Sequence, residues 1–484
     1  MSDALTALDA TFLELEQHDD GALMSIGGAL VFDPPPGGRT PALEEVQATL
    51  ADRLGRLPRY SQRLSSPSVG GLLWPHWVDD ESFDLTNHVA GAALSAPGGD
   101  AELWEWIAEF FSHPLDRARP LWKMVLIDGL EHGRWALAQK THHCLVDGVG
   151  SVDVLEVLLD REPHPWASDR AAVSAPAVKQ TAPWGSLTAH APQAVAQATA
   201  AGVQAARGGA HAALHPRDAF SRSRGLAELL VRDEIIGAPH TSLGVRIGRG
   251  RRFAAARFTL DELRQIAHKL GGSVNDVVLA ACTSGLRELL LERDEGLPAR
   301  GLRAMVPVNV REASERLALG NKVSSLFVQL PVAEPVPLVR FKQIARTTRR
   351  LKSSDLPAGA ETFIELAGLA PPLLHAALAR STYATRLFNV TITNVPGPQR
   401  PMHALGARMR EVLPFVPLAA AHAAGIAVFS YDGLVTFGIS ADRESMPDLD
   451  VLIRGIEEGI EDLSALLPAG GGARYAHHET ETRT

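Results

Sequence analysis

Two histidines stand side by side at His142 and His143, with Cys144 next to them and Asp147-Gly148 a short step beyond. An imidazole is the side chain whose ordinary pKa lies nearest neutrality, so it is suited to accept a proton from an alcohol or amine nucleophile. The pair follows an apolar, strand-like run, Trp135-Ala-Leu-Ala-Gln-Lys140. Neighbouring side chains on an extended segment face opposite ways, so only one histidine can address a given cavity and the other supports the loop. His143 is the candidate base and His142 the supporting residue. An Asp before Gly suits a turn, and the Asp147 carboxylate can hold that turn through an arginine or backbone N–H groups. It could also orient the imidazole as in a triad.

Other chemistry is open to the same stretch. His and carboxylate side chains can ligate zinc, but His142, His143 and Asp147 lack a helical i, i+4 histidine pair and a second cluster to complete the sphere, so no metal is expected. Cys144 beside a histidine could be a covalent nucleophile, although its side chain diverges from its neighbour's and a small apolar role is the commoner fate of a free cysteine. The tail repeats the dipeptide as His477-His478 without a strand or an Asp-Gly turn, and no role is expected there. In the second half, Asn275-Asp276 falls in the first turn of an expected helix capped by Ser273. Backbone donors are free there, and the Asn275 amide can donate to a developing oxyanion or hold a substrate. Asp276 equally suits a partner of the helix dipole.

The string His142-His143-Cys-Leu-Val-Asp147-Gly148 resembles the HHxxxDG signature of the CoA-dependent acyltransferase superfamily, which includes chloramphenicol acetyltransferase, the carnitine acyltransferases and the condensation domains of peptide synthetases. Leu8-Asp9-Ala-Thr-Phe-Leu13, Pro120-Leu121-Trp122, Asn275-Asp276 and Asn394-Val-Pro-Gly-Pro398 narrow the resemblance to the bacterial wax ester synthase/diacylglycerol acyltransferase family. It implies an α/β fold of two chloramphenicol acetyltransferase-like domains around a central tunnel. It implies transfer of an acyl group from acyl-CoA, as co-substrate, to diacylglycerol or a long-chain alcohol, without a cofactor. In this resemblance Asp147 is a structural carboxylate tied to an arginine that the sequence does not identify. The resemblance also implies that Asn394 to Pro398, which by themselves read as a strand end and a tight turn, line the cavity between domains, and it makes Gly148, Asp276 and Asn394 candidates for substrate binding. Two competing readings remain: an acyltransferase with a polyketide-type diol or amine acceptor, and a non-enzymatic lipid-body protein that keeps the fold.

Elements must position these residues. The strand expected over Leu23 to Phe32 is followed by a helix opened by Thr40 and Pro41. A helix through Trp104, Ile107, Phe110 and Phe111 leads to a hairpin of Trp122 to Asp128 and the strand that delivers the histidines. A helix opened by Ser151 comes next. Residues 164–224, rich in Ala, Gly, Pro and Ser, read as a partly helical linker between an N-terminal domain (1–163) and a C-terminal domain (225–468), ahead of a disordered tail (469–484). Thr259-Leu-Asp-Glu262 is a capping-box sequence whose helix stops at Gly271-Gly272. Strands are expected at Leu302 to Val310, Lys322 to Leu330, Phe388 to Asn394, Gly425 to Ser430 and Leu434 to Ser440. Helices are expected near Val339 to Lys352, near Glu361 to Ala379, and last after a cap at Ser445.

The chain has 484 residues, which exceeds one ordinary core and fits two domains of roughly 200 residues. A net charge of −9 provides no basic field to displace phosphate counterions, which argues against nucleic-acid binding. The basic run Arg246 to Arg252 reads as solvated surface, with attraction for CoA phosphates or anionic lipid as the alternative. Two cysteines cannot build a disulfide framework in so long a chain, which fits a reducing cytoplasm. The N-terminus has no basic, apolar pattern of a secretory signal. A membrane span needs about 20 mostly apolar residues. The best candidate, Val412 to Phe429, holds Pro414, Pro417 and His422 and reads as a loop entering a hairpin strand. Any association with a membrane or lipid body is therefore expected to be peripheral.

Overall fold

The computed structural model describes residues 5–35, 38–65, 75–146, 148–163, 237–309, 323–352 and 387–467. Its strands are β1 (Ser25–Phe32), β2 (Gln62–Leu64), β3 (Trp77–Asp79), β4 (Val89–Ala93), β5 (Trp122–Asp128), β6 (Trp135–His142), β7 (Arg251–Thr259), β8 (Leu302–Asn309), β9 (Val323–Leu330), β10 (Val390–Pro396), β11 (His403–Ala404), β12 (Ala407–Phe415), β13 (Ala424–Tyr431) and β14 (Leu434–Asp442). They form two six-stranded mixed sheets, ordered β11-β12-β1-β6-β5-β4 and β7-β14-β13-β10-β8-β9, and the small pair β2-β3.

The hairpin β5-β6 pairs as expected, with Trp122 opposite Thr141, and β6 continues to His142. Strand β1 lies between β6 and β12. It can do so because its centre is Gly27-Gly28: a Cβ at Gly27 would meet the Gln139 carbonyl oxygen at 2.1 Å, and one at Gly28 the Leu413 oxygen at 2.0 Å. Both residues have φ near +150°, a conformation that other residues rarely adopt.

Strands β11 and β12 come from the second half of the sequence yet belong to the first sheet, so the division at 1–163 and 225–468 is crossed by residues 403–415. The segment Val412 to Phe429 is accordingly not all loop and hairpin: its first residues finish β12 and its last lie in β13. Among the described residues no helix is long and apolar enough to cross a membrane.

The two sheets meet through β12. Gly438 of β14 allows the closest approach, since a Cβ there would lie 1.9 Å from the Pro414 oxygen. Phe415 stacks on Phe111 at 3.8 Å between centroids, and one buried cluster joins Ala29, Ile107 and Leu413 to Phe253 and Ala255. The helix Asp100–Phe111 therefore sits between the sheets, while Leu43–Leu54 and Gly148–Leu158 contribute to the core on the other face of the first sheet. Helices Leu260–Leu270, Val274–Glu292, Pro337–Lys352 and Leu449–Ala465 cover the outer face of the second sheet.

Capping chemistry accounts for most helix starts. The Thr259 side chain accepts from the Glu262 N–H, Gly271 ends that helix in the left-handed region, and Ser273 caps the next helix. Three starts differ from expectation. The helix assigned to Thr40-Pro41 begins at Leu43, where Glu45 reaches back to the Ala42 N–H at 2.7 Å. The helix assigned to Ser151 begins at Gly148. The last helix begins at Leu449 after Asp448, since Ser445 is occupied with Asp442. The basic run also departs from a solvated surface: Arg251 is 1% exposed and donates to the Gly21, Gly248 and Gly250 carbonyls. The linker 164–224, the tail 469–484 and the helix expected near 361–379 lie outside the described residues.

Candidate active site

The histidines leave β6 under tight backbone control. The His142 N–H donates to the Leu121 oxygen at 2.9 Å and the His143 N–H to the Met24 oxygen at 2.8 Å. The chain then turns, with the Leu145 N–H returning to the His142 oxygen at 2.9 Å. As the alternation of an extended segment requires, the two imidazoles have different surroundings: His142 is fully buried and His143 half-buried.

The first helix, Ala7–His18, meets both rings. It is capped by Thr6 and Asp9 and presents Phe12 and Glu16, four residues apart and so on one face. Phe12 stacks on His143, with centroids 4.0 Å apart and planes 15° from parallel. Glu16 Oε2 lies 3.4 Å from His142 Nε2. On its other side His142 Nδ1 accepts the Cys144 N–H at 3.1 Å, so that nitrogen carries a lone pair and the ring proton sits on Nε2, toward Glu16.

The Glu16 carboxylate also accepts the Met24 N–H at 2.8 Å and pairs with Arg117 at 3.5 Å. Burial would raise its pKa. Contacts with His142, the Met24 N–H and Arg117 outweigh burial and hold it at about 2. Burial, with the Asp9 charge added, pushes the Cys144 thiol well above its ordinary value, which opposes thiolate formation.

In the second half, Asn275 lies in the first turn of Val274–Glu292 and Asn394 on β10. The Asn394 side-chain amide donates to Asn275 Oδ1 at 3.4 Å, so these two candidates meet. Val395, next to Asn394, packs on the core cluster that contains Cys144, Leu145 and Val146. Asp276 turns elsewhere: its carboxylate accepts the Ser273 N–H and hydroxyl at 2.7 and 2.8 Å and the Thr348 hydroxyl at 2.6 Å. Those bonds employ it in starting the helix and anchoring Pro337–Lys352. Gly148 is the first residue of its helix, and Asp147 lies outside the described residues. Among the described residues no three His, Cys, Asp or Glu side chains gather as metal ligands.

Glu16 and Arg117 were absent from the sequence-based candidates, and Phe12 entered only as part of the Leu8–Leu13 motif, with no role at the site. The available signal was the spacing of Phe12 and Glu16, which puts a carboxylate on the same helix face as a core aromatic ring.

Solved structures of this shape define a class first. The first condensation domain of the CDA synthetase has a TM-score of 0.61 at 16% identity, with 96% of each chain covered, a likeness of fold: two chloramphenicol acetyltransferase-like units. Within that class the sequence is more specific. The wax ester synthase/diacylglycerol acyltransferase catalytic domain matches residues 5–278, and the C-terminal domain of the same family matches residues 319–464. The chain belongs to the wax ester synthase/diacylglycerol acyltransferase family and is an acyltransferase. It is 32% identical over 466 residues to a probable diacylglycerol O-acyltransferase of Mycobacterium tuberculosis, covering 96% of both chains. The wax ester synthase/diacylglycerol acyltransferase of Marinobacter aquaeolei aligns with a TM-score of 0.65 at 29% identity, over 96% of this chain and 99% of that one.

Proposed function

We propose that the protein transfers a long-chain acyl group from acyl-CoA to the hydroxyl of diacylglycerol or a long-chain alcohol, with His143 as general base. The observation that carries this assignment is the division of labour between the histidines. His142 is fully buried, with Nδ1 accepting the Cys144 N–H and Nε2 lying 3.4 Å from the Glu16 carboxylate, whereas His143 is half-buried at the strand end against Phe12.

His143 takes the hydroxyl proton as the oxygen attacks the thioester carbon. The tetrahedral oxyanion receives donors, among them the Asn275 amide, and collapse breaks the C–S bond. CoA leaves as thiolate and takes up the proton that His143 carries. A thiol of pKa about 8.5 leaves more readily than an alkoxide, so no strong acid is needed. The face of Phe12 favours the imidazolium formed during attack. Transfer is direct, since the buried, protonated Cys144 is unsuited to an acyl-enzyme. The apolar acceptor and product place the work at a membrane or lipid-body surface, approached from the cytoplasm.

The test is CoA release by purified protein with long-chain acyl-CoA and either acceptor, beside lipid analysis of a host making the wild type or His143→Ala. Loss of about 10²-fold or more in kcat is expected for His143→Ala. Turnover within a few fold of wild type would refute the assignment, and turnover with only a diol or amine acceptor would redirect it.

A further inference from the structure

We propose that Glu16 is a positioning residue of the active site, acting through His142 and Met24 to fix the turn that presents His143. Two short paths lead from its carboxylate to that histidine. One runs from Glu16 to His142 Nε2 at 3.4 Å, across the ring, and from Nδ1 to the Cys144 N–H at 3.1 Å, the residue immediately after His143. The other runs from Glu16 to the Met24 N–H at 2.8 Å, and from the Met24 carbonyl to the His143 N–H at 2.8 Å. The carboxylate therefore holds the backbone on both sides of the His143 side chain, while Phe12, one turn earlier on the same helix, covers its ring.

The arrangement is over-determined. Arg117 pairs with the Glu16 carboxylate at 3.5 Å and donates to the Leu13 carbonyl at 3.1 Å, tying the helix backbone to the same cluster. Glu16 is 8% exposed and His142 0%, so without the carboxylate the His142 Nε2–H would face no water. A ring in that position rotates or takes the other tautomer to find a partner, and either change removes the lone pair that receives the Cys144 N–H. A displacement near 1 Å at a catalytic group can cost about 10²-fold in rate, which makes such a brace worth a buried carboxylate.

The inference rests on His143 as base, and two substitutions separate reach from charge. Glu16→Gln keeps the length and an oxygen that accepts the Met24 N–H and faces His142 Nε2. Glu16→Asp keeps the charge but withdraws it by about 1.5 Å, beyond reach of His142. With palmitoyl-CoA and hexadecanol, and with diacylglycerol, kcat of the Gln variant is expected within about 5-fold of wild type. That of the Asp variant is expected to fall about 30-fold or more, with KM for each substrate changed less than about 3-fold in both.

A Glu16 that only balances Arg117 gives the reverse order, and one that only stabilises the fold leaves kcat per folded molecule unchanged in both variants. Either result overturns the proposal. If the Asp variant does not fold, ¹⁵N-histidine NMR of the wild-type protein decides, with His142→Asn assigning the signal: His142 must carry its proton on Nε2, and a proton on Nδ1 overturns the proposal. Failure of the base assignment shows separately, as retained turnover in His143→Ala.

Discussion

Arg257 offers a quantitative test of how the two sheets are joined. It stands on β7, and its guanidinium grips Glu411 of β12 through Nε–Oε2 at 2.6 Å and Nη2–Oε1 at 3.0 Å. A second fork holds Asp100, at the start of Asp100–Phe111, at 2.7 and 3.0 Å. The arms differ in value because Glu411 is 8% exposed and Asp100 45%. Although burial opposes the Arg257 charge, these carboxylates raise its pKa. Arg257→Ala strands a buried carboxylate, which costs about 3–5 kcal/mol; Arg257 is itself 29% exposed, so the lower end, about 3 kcal/mol, applies. The solvated Asp100 arm adds less than about 1 kcal/mol. Glu411→Gln leaves Arg257 paired with Asp100 and costs about 1 kcal/mol. In the double variant no charge is stranded, and the total cost is expected near 2 kcal/mol rather than the additive 4, a coupling of about 2 kcal/mol. Urea unfolding followed by tryptophan fluorescence and by circular dichroism measures all four proteins. Additivity within about 0.5 kcal/mol would refute the claim that Glu411 depends on Arg257.

Three further outcomes follow from the site. Cys144→Ala is expected to keep kcat within about 3-fold, and the native Cys144 thiol to resist alkylation until unfolding; a loss matching His143→Ala would make it a participant. Asp276→Ala should cost about 2 kcal/mol, from the lost cap and the orphaned Thr348 hydroxyl, with KM for both substrates unchanged; a KM raised about tenfold would reveal a substrate contact. Because the Glu16 carboxyl is held at about 2 against an ordinary 4.5, its contribution to stability is complete above pH 4.5 and disappears as pH falls toward 2. Wild-type stability should therefore fall more steeply than that of Glu16→Gln through that window, and parallel acid-unfolding curves would contradict the ion pairing.

Local chemistry made part of this fold readable. The caps at Thr259 and Ser273, the stop at Gly271 and the hairpin β5-β6 each depend on residues a few positions apart. Strand β12 was hidden because Pro414 interrupts its pattern and its partner, β1, lies near the other end of the chain. Arg251 reads as surface because its neighbours are arginines and glycines; the carbonyls that allow its burial, including that of Gly21, carry no side-chain signal. Within the site, strand alternation made legible that His142 and His143 have different surroundings, while the choice of His143 as the candidate base leaned on the family resemblance. Glu16 was not, because its significance depends on a tertiary contact between the first helix and the end of β6. Asp276 was ambiguous for the opposite reason: a carboxylate in a helix's first turn has a sufficient local role, and Thr348 completes it.

The long-range contacts change what the second half must do for catalysis. Asn275 is its candidate donor and Asn394 its candidate substrate contact, yet its grip on the turn after the first helix precedes any such contribution. Arg251, at the start of β7, binds the Gly21 carbonyl in the turn that follows the helix, and its N–H donates to the Ser112 hydroxyl at 2.9 Å. Arg249 pairs with Asp20 in the same turn at 3.1 Å. That helix carries Phe12 against His143 and Glu16 against His142. Through Gly21, Met24 and β1, the segment that opens the second half is therefore tied to the residues that orient both histidines. A purely additive view, in which one half supplies the base and the other supplies donors, predicts that the isolated first half keeps an ordered pair of histidines. The contacts argue otherwise: without Arg249 and Arg251 the turn at Asp20-Gly21 loses its anchors, and without β12 the strand β1, which pairs directly beside β6, becomes a sheet edge. The histidine pair belongs to the first half by sequence and to both halves by structure.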